Sequence, residues 1–331
     1  MSAYLNTIFS AIPLVNYRET HDFDEQAEML KGWNQNYLQI SSGHYSGYVS
    51  DIRFERVHMF LEYTSKALFQ QGWLDEESVA VGVPMFANSA GVFCGSATGR
   101  DYVHVFSGQE GFEFYSPSEL LMAGITVQRT ELMQALTPDE QDALDKNCAT
   151  AHVFSLETEG LEAIRRFVAQ VFVTVGEQPE VLQGGAVAAG IKQTLLSLLA
   201  ETILHINDQS SATLAGSRCW KIIAETQEMV REQTDAPLSV TDLCLHFGVS
   251  RRMLQNCFQN MLAISPAAYL RAERLNAVRR MLKETDSVTE AAANWGFCHF
   301  GHFSQEYKKL FGELPSATLK RTHADPLMAT V

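Results

Sequence analysis

The sequence predicts an α+β chain. A β-rich N-terminal domain is followed by helices, then by an all-α domain with two helix-turn-helix motifs joined by a long helix. Three observations carry this. First, SVTDLCLHFGVS, Ser239 to Ser250, is echoed 48 residues later as SVTEAAANWGFC, Ser287 to Cys298. Ser, Val, Thr, an acid, an aromatic and Gly recur in register, and each copy reads as short helix, Gly turn and second helix. Second, up to about residue 135, short apolar runs such as VAVGVPMF, GVFCGSAT and YVHVFSG are broken by Gly, Pro, Asn and Ser. Third, from Thr137 the apolar spacing becomes helical.

Regular short strands with Gly turns predict a small barrel or sandwich. DFDEQAEMLKGWNQNYLQI reads as a helix preceding the main strands. Thr137-Pro138-Asp139-Glu140 supplies a cap, a first-turn Pro and acids, and opens a helix. Leu161–Val175 and Ala186–Ile206 have helical apolar spacing. The expected domains are 1–206, with a helical segment at about 137–206 suited to dimerisation or to packing on its own barrel. A polar linker at 207–217, a helical domain at 218–322 and a loose tail at 323–331 follow.

Charge separates the two parts. The net charge of −14 divides into −16 for residues 1–216, +3 for 217–323 and −1 from Asp325. The N-terminal part should repel phosphate, and the C-terminal part can approach it. No apolar run reads as the ~18–20 residues that span a bilayer, so no membrane is expected. The N-terminus has no basic residue before its apolar stretch, as a secretion signal would, and a cytoplasmic location is expected. The six cysteines show no CxxC spacing and suit a reduced compartment, not a disulfide frame or zinc site.

Within the repeat, Ser239 caps a helix with Asp242 three residues on, close to a capping box. Val240, Leu243, Cys244 and Phe247 line one face, and Gly248 permits a left-handed turn. Ser250 caps the next helix, where Leu254 and Phe258 face the core and Arg251, Arg252, Gln255 and Asn256 project outward. Arg suits guanine O6 and N7, and Gln or Asn suits adenine N6 and N7, so double-stranded DNA is the expected partner. In the second copy Ser287 and Glu290 form the box, and Val288, Ala291 and Trp295 pack inward before Gly296 turns. The following helix is shifted by one residue. Phe303 and Tyr307 take the core places, and His299, Gly301, His302 and Gln305 face outward with Lys308 and Lys309 placed for phosphates. This reader is less basic and should work more through apolar and shape contacts. Between the copies Ser265 caps and Pro266 starts a long helix, with Tyr269, Leu270, Leu275, Val278 and Leu282 as its buried stripe. A stiff connector can fix two readers ~34 Å apart on one face of DNA.

The C-terminal stretch resembles the AraC/XylS family of bacterial transcription regulators. The carrying residues are Pro266 and Tyr269, then Arg274, Leu275 and Ala277, then Ala292, Gly296 and Phe297. Phe303, Tyr307, Lys308, Phe311, Gly312 and Pro315 complete the pattern. The strings VSRRMLQNCF, RLNAVRR and HYSGYVSDIRFERVHMFLEYTSKAL are most similar to the ethanolamine-utilisation operon regulators. HFGHF departs from the family's Ser- or Gln-rich segment and alters the expected target, not the fold. The resemblance implies a seven-helix DNA-binding domain and a variable N-terminal domain that senses a small molecule or mediates dimerisation. An activator that works with RNA polymerase and carries no cofactor is expected.

In the N-terminal domain Trp33, Tyr45, Tyr48, Phe86, Phe93 and His104 are candidates for an effector pocket. Aromatic faces with a nearby carboxylate suit a small amine-like cation. The rival is a metal-dependent cupin-type enzyme. Its motif is incomplete in GRDYVHVFSGQE, where Phe106 stands at the second His position between His104 and Glu110. His104 then reads as a strand histidine bonded locally, and neither metal nor enzymatic activity is expected. A further alternative is a ligand-independent regulator controlled by a protein partner through the acidic domain.

Overall fold

A computed structural model describes residues 15–108, 111–134, 136–148, 152–155, 158–183, 185–204, 218–232 and 237–324. The expected linker at 207–217 and the tail beyond Ala324 lie outside these residues, as does Glu110. The protein is α+β, with a β-rich N-terminal region and a helical C-terminal region.

In chain order the N-terminal elements are β1 (Arg18–Thr20), α1 (Phe23–Met29), β2 (Asn36–Gln39), β3 (Gly47–Phe54), β4 (Val57–Thr64) and β5 (Leu68–Gly72). Then come β6 (Ser78–Ala87), β7 (Gly91–Phe93), β8 (Ser96–Thr98), β9 (Tyr102–Ser107), β10 (Phe112–Ser116) and β11 (Leu120–Gln128). Next are α2 (Arg129–Met133), α3 (Pro138–Cys148), β12 (His152–Ser155), α4 (Thr158–Glu177) and α5 (Ala186–Leu204). The expected early helix is cut to α1. Asp22 caps it through Asp24 and Glu25 N–H groups, and the rest of that stretch turns into β2. The helical segment from Thr137 is interrupted by β12, which four residues of apolar and polar alternation were too short to announce. It pairs antiparallel with β9 at the edge of a seven-stranded sheet of order β1-β3-β4-β11-β6-β9-β12. A second sheet runs β2-β5-β10-β7-β8.

Two compact units result, 1–36 with 46–65 and 70–213, and 37–45 with 66–69 and 214–331. In the first, strand alternation sends one set of side chains to each face of the large sheet. Met59, Leu61, Val81, Val105, Ala123 and Ile125 join Leu161, Ile164, Val168, Phe172, Leu195 and Leu199 of α4 and α5 in one core. Phe60, Ala80, Phe106 and Met122 face Phe93, Phe112 and Phe114 of the smaller sheet in another. Thus α4 and α5 pack on their own sheet. Helix α5 spans 19 residues of mean hydropathy 1.3 and passes a length-and-composition test for a membrane span, which corrects the expectation that no such run exists. It was missed because Lys192 and Glu201 interrupt the run. Lys192 is fixed by Glu55 at 2.6 Å and Glu131 at 2.7 Å.

The second unit contains α6 (Arg218–Glu232), α7 (Val240–Phe247), α8 (Arg251–Leu262), α9 (Pro266–Met281), α10 (Val288–Asn294), α11 (Phe300–Phe311) and α12 (Pro315–Ala324). These are seven helices among the described residues. The predicted stripe of α9 is buried, with Tyr269, Leu270, Leu275, Val278 and Leu282 at 4% exposure or less. Polar Asn276 and Arg279 are buried with it. Asn276 accepts from the Gln39 backbone N–H at 3.0 Å and donates to the Gln39 and Ala272 carbonyls at 2.9 and 2.7 Å. Both faces of this buried amide are therefore satisfied. Cys219 of α6 and Cys257 of α8 form a disulfide, which corrects the reduced-thiol expectation. Their separation of 38 residues carries no motif; the pairing arises because α6 and α8 stack.

Candidate functional site

The first candidate reading helix is built from its caps. Asp242 N–H donates to Ser239 Oγ at 3.2 Å while Ser239 N–H donates to Asp242 Oδ2 at 2.9 Å, a complete capping box. Gly248 ends α7 at φ 59°, a left-handed position that a side chain strains. Ser250 Oγ accepts from Met253 N–H and opens α8. Leu254, Cys257 and Phe258 are buried, so the 3.6-residue period exposes Arg251, Arg252, Gln255 and Asn256 together on the opposite side, beside exposed Ser250. Gln259 and Asn260 extend this polar face, an extension the i, i+3, i+4 count could have supplied. Arg251 is not loose: its guanidinium donates to Thr241 Oγ1 at 2.7 Å.

The second candidate follows the same plan with one difference. Glu290 N–H donates to Ser287 Oγ at 3.2 Å, but the Glu290 carboxylate accepts from Thr285 Oγ1, and Ser287 N–H donates to Thr285. The predicted reciprocal box is therefore only half formed, because Thr285 lies two residues ahead and competes for both groups. Trp295 is half-buried, and the turn is made at Gly296, φ 76°. Phe303 and Tyr307 are buried as predicted from the one-residue shift. His299, Gly301, His302, Gln305, Lys308 and Lys309 are all exposed. Phe300, 41% exposed at the start of α11, also belongs to this face and was overlooked as an aromatic. A glutamate positions the helix: Arg271 of α9 meets Glu306 at 2.7 Å.

Behind α11, Glu313 accepts from Arg279 at 2.9 Å, from Arg321 at 2.7 and 3.0 Å and from Thr318 at 2.8 Å. Burial alone would push its carboxyl up, but these donors outweigh burial and hold it down at about 2. Arg279 also lies over the Phe311 ring at 5.0 Å.

In the first unit a partly open cavity of about 40 Å³ lies between the two sheets. Trp33, Phe93 and His104 of the predicted pocket line it. Tyr45, Tyr48 and Phe86 do not. Tyr48 precedes the inward Val49 on β3 and so points to the other face, where it stacks on Tyr63 at 5.5 Å. Phe86 is opposite Leu121, where a register shift in β6 and β11 puts it against the helix-side core. Tyr45 belongs to the second unit. Six further contributors, Phe60, Glu62, Thr64, Phe106, Phe112 and Phe114, come from β4, β9 and β10, whose in-out parity could have been counted. His104 Nε2 is 2.7 Å from Thr98 Oγ1, and its ring stacks on Phe93 at 4.2 Å. Burial pushes its imidazole down to about 3, so the ring is neutral at pH 7. Among the described residues there is no group of three His, Cys, Asp or Glu with metal-ligand geometry.

A helix-turn-helix domain family matches residues 243–321. A probable thc operon regulatory protein of Rhodococcus erythropolis is 37% identical over 103 residues, 30% of this chain and 31% of that protein. The XylDLEGF operon transcriptional activator 2 of Pseudomonas putida is 30% identical over 137 residues, 40% of this chain and 85% of that protein. The chain thus spans under a third of the first relative and most of the second. Among solved structures, the AraC-like transcriptional activator CuxR is similar at 10% identity and TM-score 0.41, over 78% of this chain and 94% of its own. On the match to the XylDLEGF activator, the chain belongs to the AraC/XylS family of transcription regulators.

Proposed function

We propose that the protein is a sequence-specific DNA-binding transcription regulator, acting as an activator through RNA polymerase and responding to a small molecule. The observation that carries the reading is the pair of exposed polar faces on α8 and α11, each following a capped short helix and a left-handed glycine. The α7–α8 and α10–α11 pairs serve as two helix-turn-helix readers, with α8 and α11 entering successive major grooves. Arg252, Gln255 and Asn256 read bases, Arg251 reads from its Thr241 tether, and His299, His302, Gln305 and Phe300 make the second, more apolar contact. Lys308 and Lys309 neutralise phosphate.

Residues 1–206 serve as the sensing domain, a cupin-like barrel whose cavity receives the effector, and 218–322 as the DNA-binding domain joined by the linker at 207–217. Helix α5, apolar yet only one-third buried, supports a homodimer, which paired half-sites favour. The three sequence strings support a likeness to the ethanolamine-operon subgroup, which names a lineage and no ligand. A cytoplasmic location follows from work on chromosomal DNA.

Selection of genomic fragments by the purified chain should enrich a few promoters with half-sites about one helical turn apart. On such a fragment Arg252→Ala should weaken binding by ~1–3 kcal/mol and relax one base position. Lys308→Ala should weaken all sequences evenly and lower the salt slope by about 0.9. Uniform retention of all fragments, or an unchanged Arg252→Ala titration, rejects the reading.

A further inference from the structure

The second unit includes a stretch from far outside the matched helix-turn-helix domain. Residues 37–45, YLQISSGHY, belong with α6 to α12 in this unit, although the family match begins only at residue 243. Tyr37, Leu38, Gln39 and Tyr45 are buried, Tyr37 and Gln39 completely. Strand β2 stands at the end of its sheet, so its outer backbone edge needs another partner. Helix α9 covers that edge. Asn276 Oδ1 accepts from Gln39 N–H at 3.0 Å and Asn276 Nδ2 donates to the Gln39 carbonyl at 2.9 Å, as a neighbouring strand would. Arg280, one turn further on α9, donates to the Tyr37 carbonyl at 2.7 Å. The two periods match here. Positions i and i+4 share a helix face, and backbone groups of alternate residues share a strand edge.

The same glutamine reaches the second candidate reading helix. The last carbonyls of a helix lack partners within it. At the end of α11 the Leu310 carbonyl accepts from Gly43 N–H at 2.9 Å and from Gln39 Nε2 at 2.6 Å. Gln39 Nε2 also donates to the Ser41 and Gly43 carbonyls at 2.8 and 2.7 Å, so its two hydrogens are shared among three acceptors. Just past α11, Gly312 at φ 78° closes on the same stretch, and a Cβ there would lie 2.6 Å from His44 N. Gln39 is thus bonded to the long connector α9 through its backbone and to the end of α11 through its side chain.

Resting on the reading of α8 and α11 as two DNA readers, we infer that Gln39 is a positioning residue for the second. Residues 37–45 form a strap that sets the angle of α11 against α9. Base edges are read by hydrogen bonds that weaken steeply off line, so a tilt that leaves the fold intact still degrades reading. Helix α8 is held separately, by Thr241 and Cys219. Loss of the strap therefore falls on the second reader and spares the first.

The test uses the full-length protein and a promoter fragment that it selects. Each base pair is replaced in turn, and affinity is read by gel-shift titration. Arg252→Ala and His302→Ala mark which base pairs lie under α8 and which under α11. In wild type a replacement should cost roughly tenfold or more in affinity, and Gln39→Ala should cut this to under about threefold at the α11 base pairs alone. Gln39→Met keeps the backbone bonds to Asn276 and loses the side-chain donor. It should show the same pattern, and it carries the test where circular dichroism shows Gln39→Ala unfolded. Leu144→Ala, buried in the helix-side core of the first unit, controls for destabilisation and should change neither set. Hydrogen–deuterium exchange without DNA should be faster in α11 of both Gln39 variants and unchanged in α8. Equal loss at both sets of base pairs, no loss at the α11 set, or unchanged α11 exchange overturns the inference. Wild type that retains all fragments alike rejects the regulator reading, and the exchange experiment then decides the strap by itself.

Discussion

Glu313→Gln is the most informative stability test of the DNA-binding unit. The substitution keeps shape and removes one charge from a site where Arg279, 3% exposed along its side chain, has its carboxylate at 2.9 Å. The carboxyl is held at about 2 against an ordinary 4.5. At 1.36 kcal/mol per pKa unit this corresponds to about 3 kcal/mol of native-state preference for the charged form. Removing one partner of a buried ion pair costs ~3–5 kcal/mol by an independent route, so the two agree. The sign follows from the direction of the shift. A folded value below the unfolded one gives a contribution that is complete above about pH 4.5 and is lost as pH falls toward 2. Hydrogen–deuterium exchange of the full chain, read on the amides of α9, α11 and α12, isolates this unit from the sheets. Glu313→Gln should lower their protection by about 3 kcal/mol at pH 7, and wild type should lose the same amount on acidification. A change under about 1 kcal/mol, or protection flat down to pH 3 after correction for intrinsic exchange, would refute the reasoning.

Other perturbations probe the remaining devices. Gly248→Ala should cost ~1 kcal/mol in urea unfolding because of its φ of 59°, with open space around it, and Gly248→Asn should cost less. Gly124→Ala should cost ~1–3 kcal/mol, since a Cβ there would come 2.0 Å from Phe60 Cζ, and thermal melting of the first unit should show it. Denatured, unreduced protein should titrate four thiols and reduced protein six, since Cys94, Cys148, Cys244 and Cys298 are free. Reduction should lower unfolding stability by up to about 4 kcal/mol for a 38-residue loop.

Much of the helical unit was legible because its signals are local. A serine, an acid three residues on and a glycine mark each short helix, and the spacing of Leu254 with Phe258 and of Phe303 with Tyr307 fixes which side chains are left outside. What escaped depends on distant neighbours. Thr285 takes both partners of the predicted Ser287–Glu290 box, and Cys219 reaches Cys257 only once α6 and α8 stack. Glu313, unremarkable in sequence, becomes the centre of a network reaching back to α9 and on to α12. In the sheets, composition gave strands and turns but not parity. Trp33, Phe93 and His104 reach the cavity, while Tyr48 falls one residue out of phase and Phe86 sits past a register shift.

Helix α8 is fastened at its first residue, by Arg251 to Thr241 of α7, and at its middle, by Cys257 to Cys219 of α6. A probe clamped in this way cannot tilt or slide to accommodate a mismatched base step. The cost of a wrong base pair then falls on the contact itself instead of being spread over small adjustments. On the proposed function, discrimination at the bases under α8 should be steep and local, and opening the thiol bridge should flatten it without moving the preferred base.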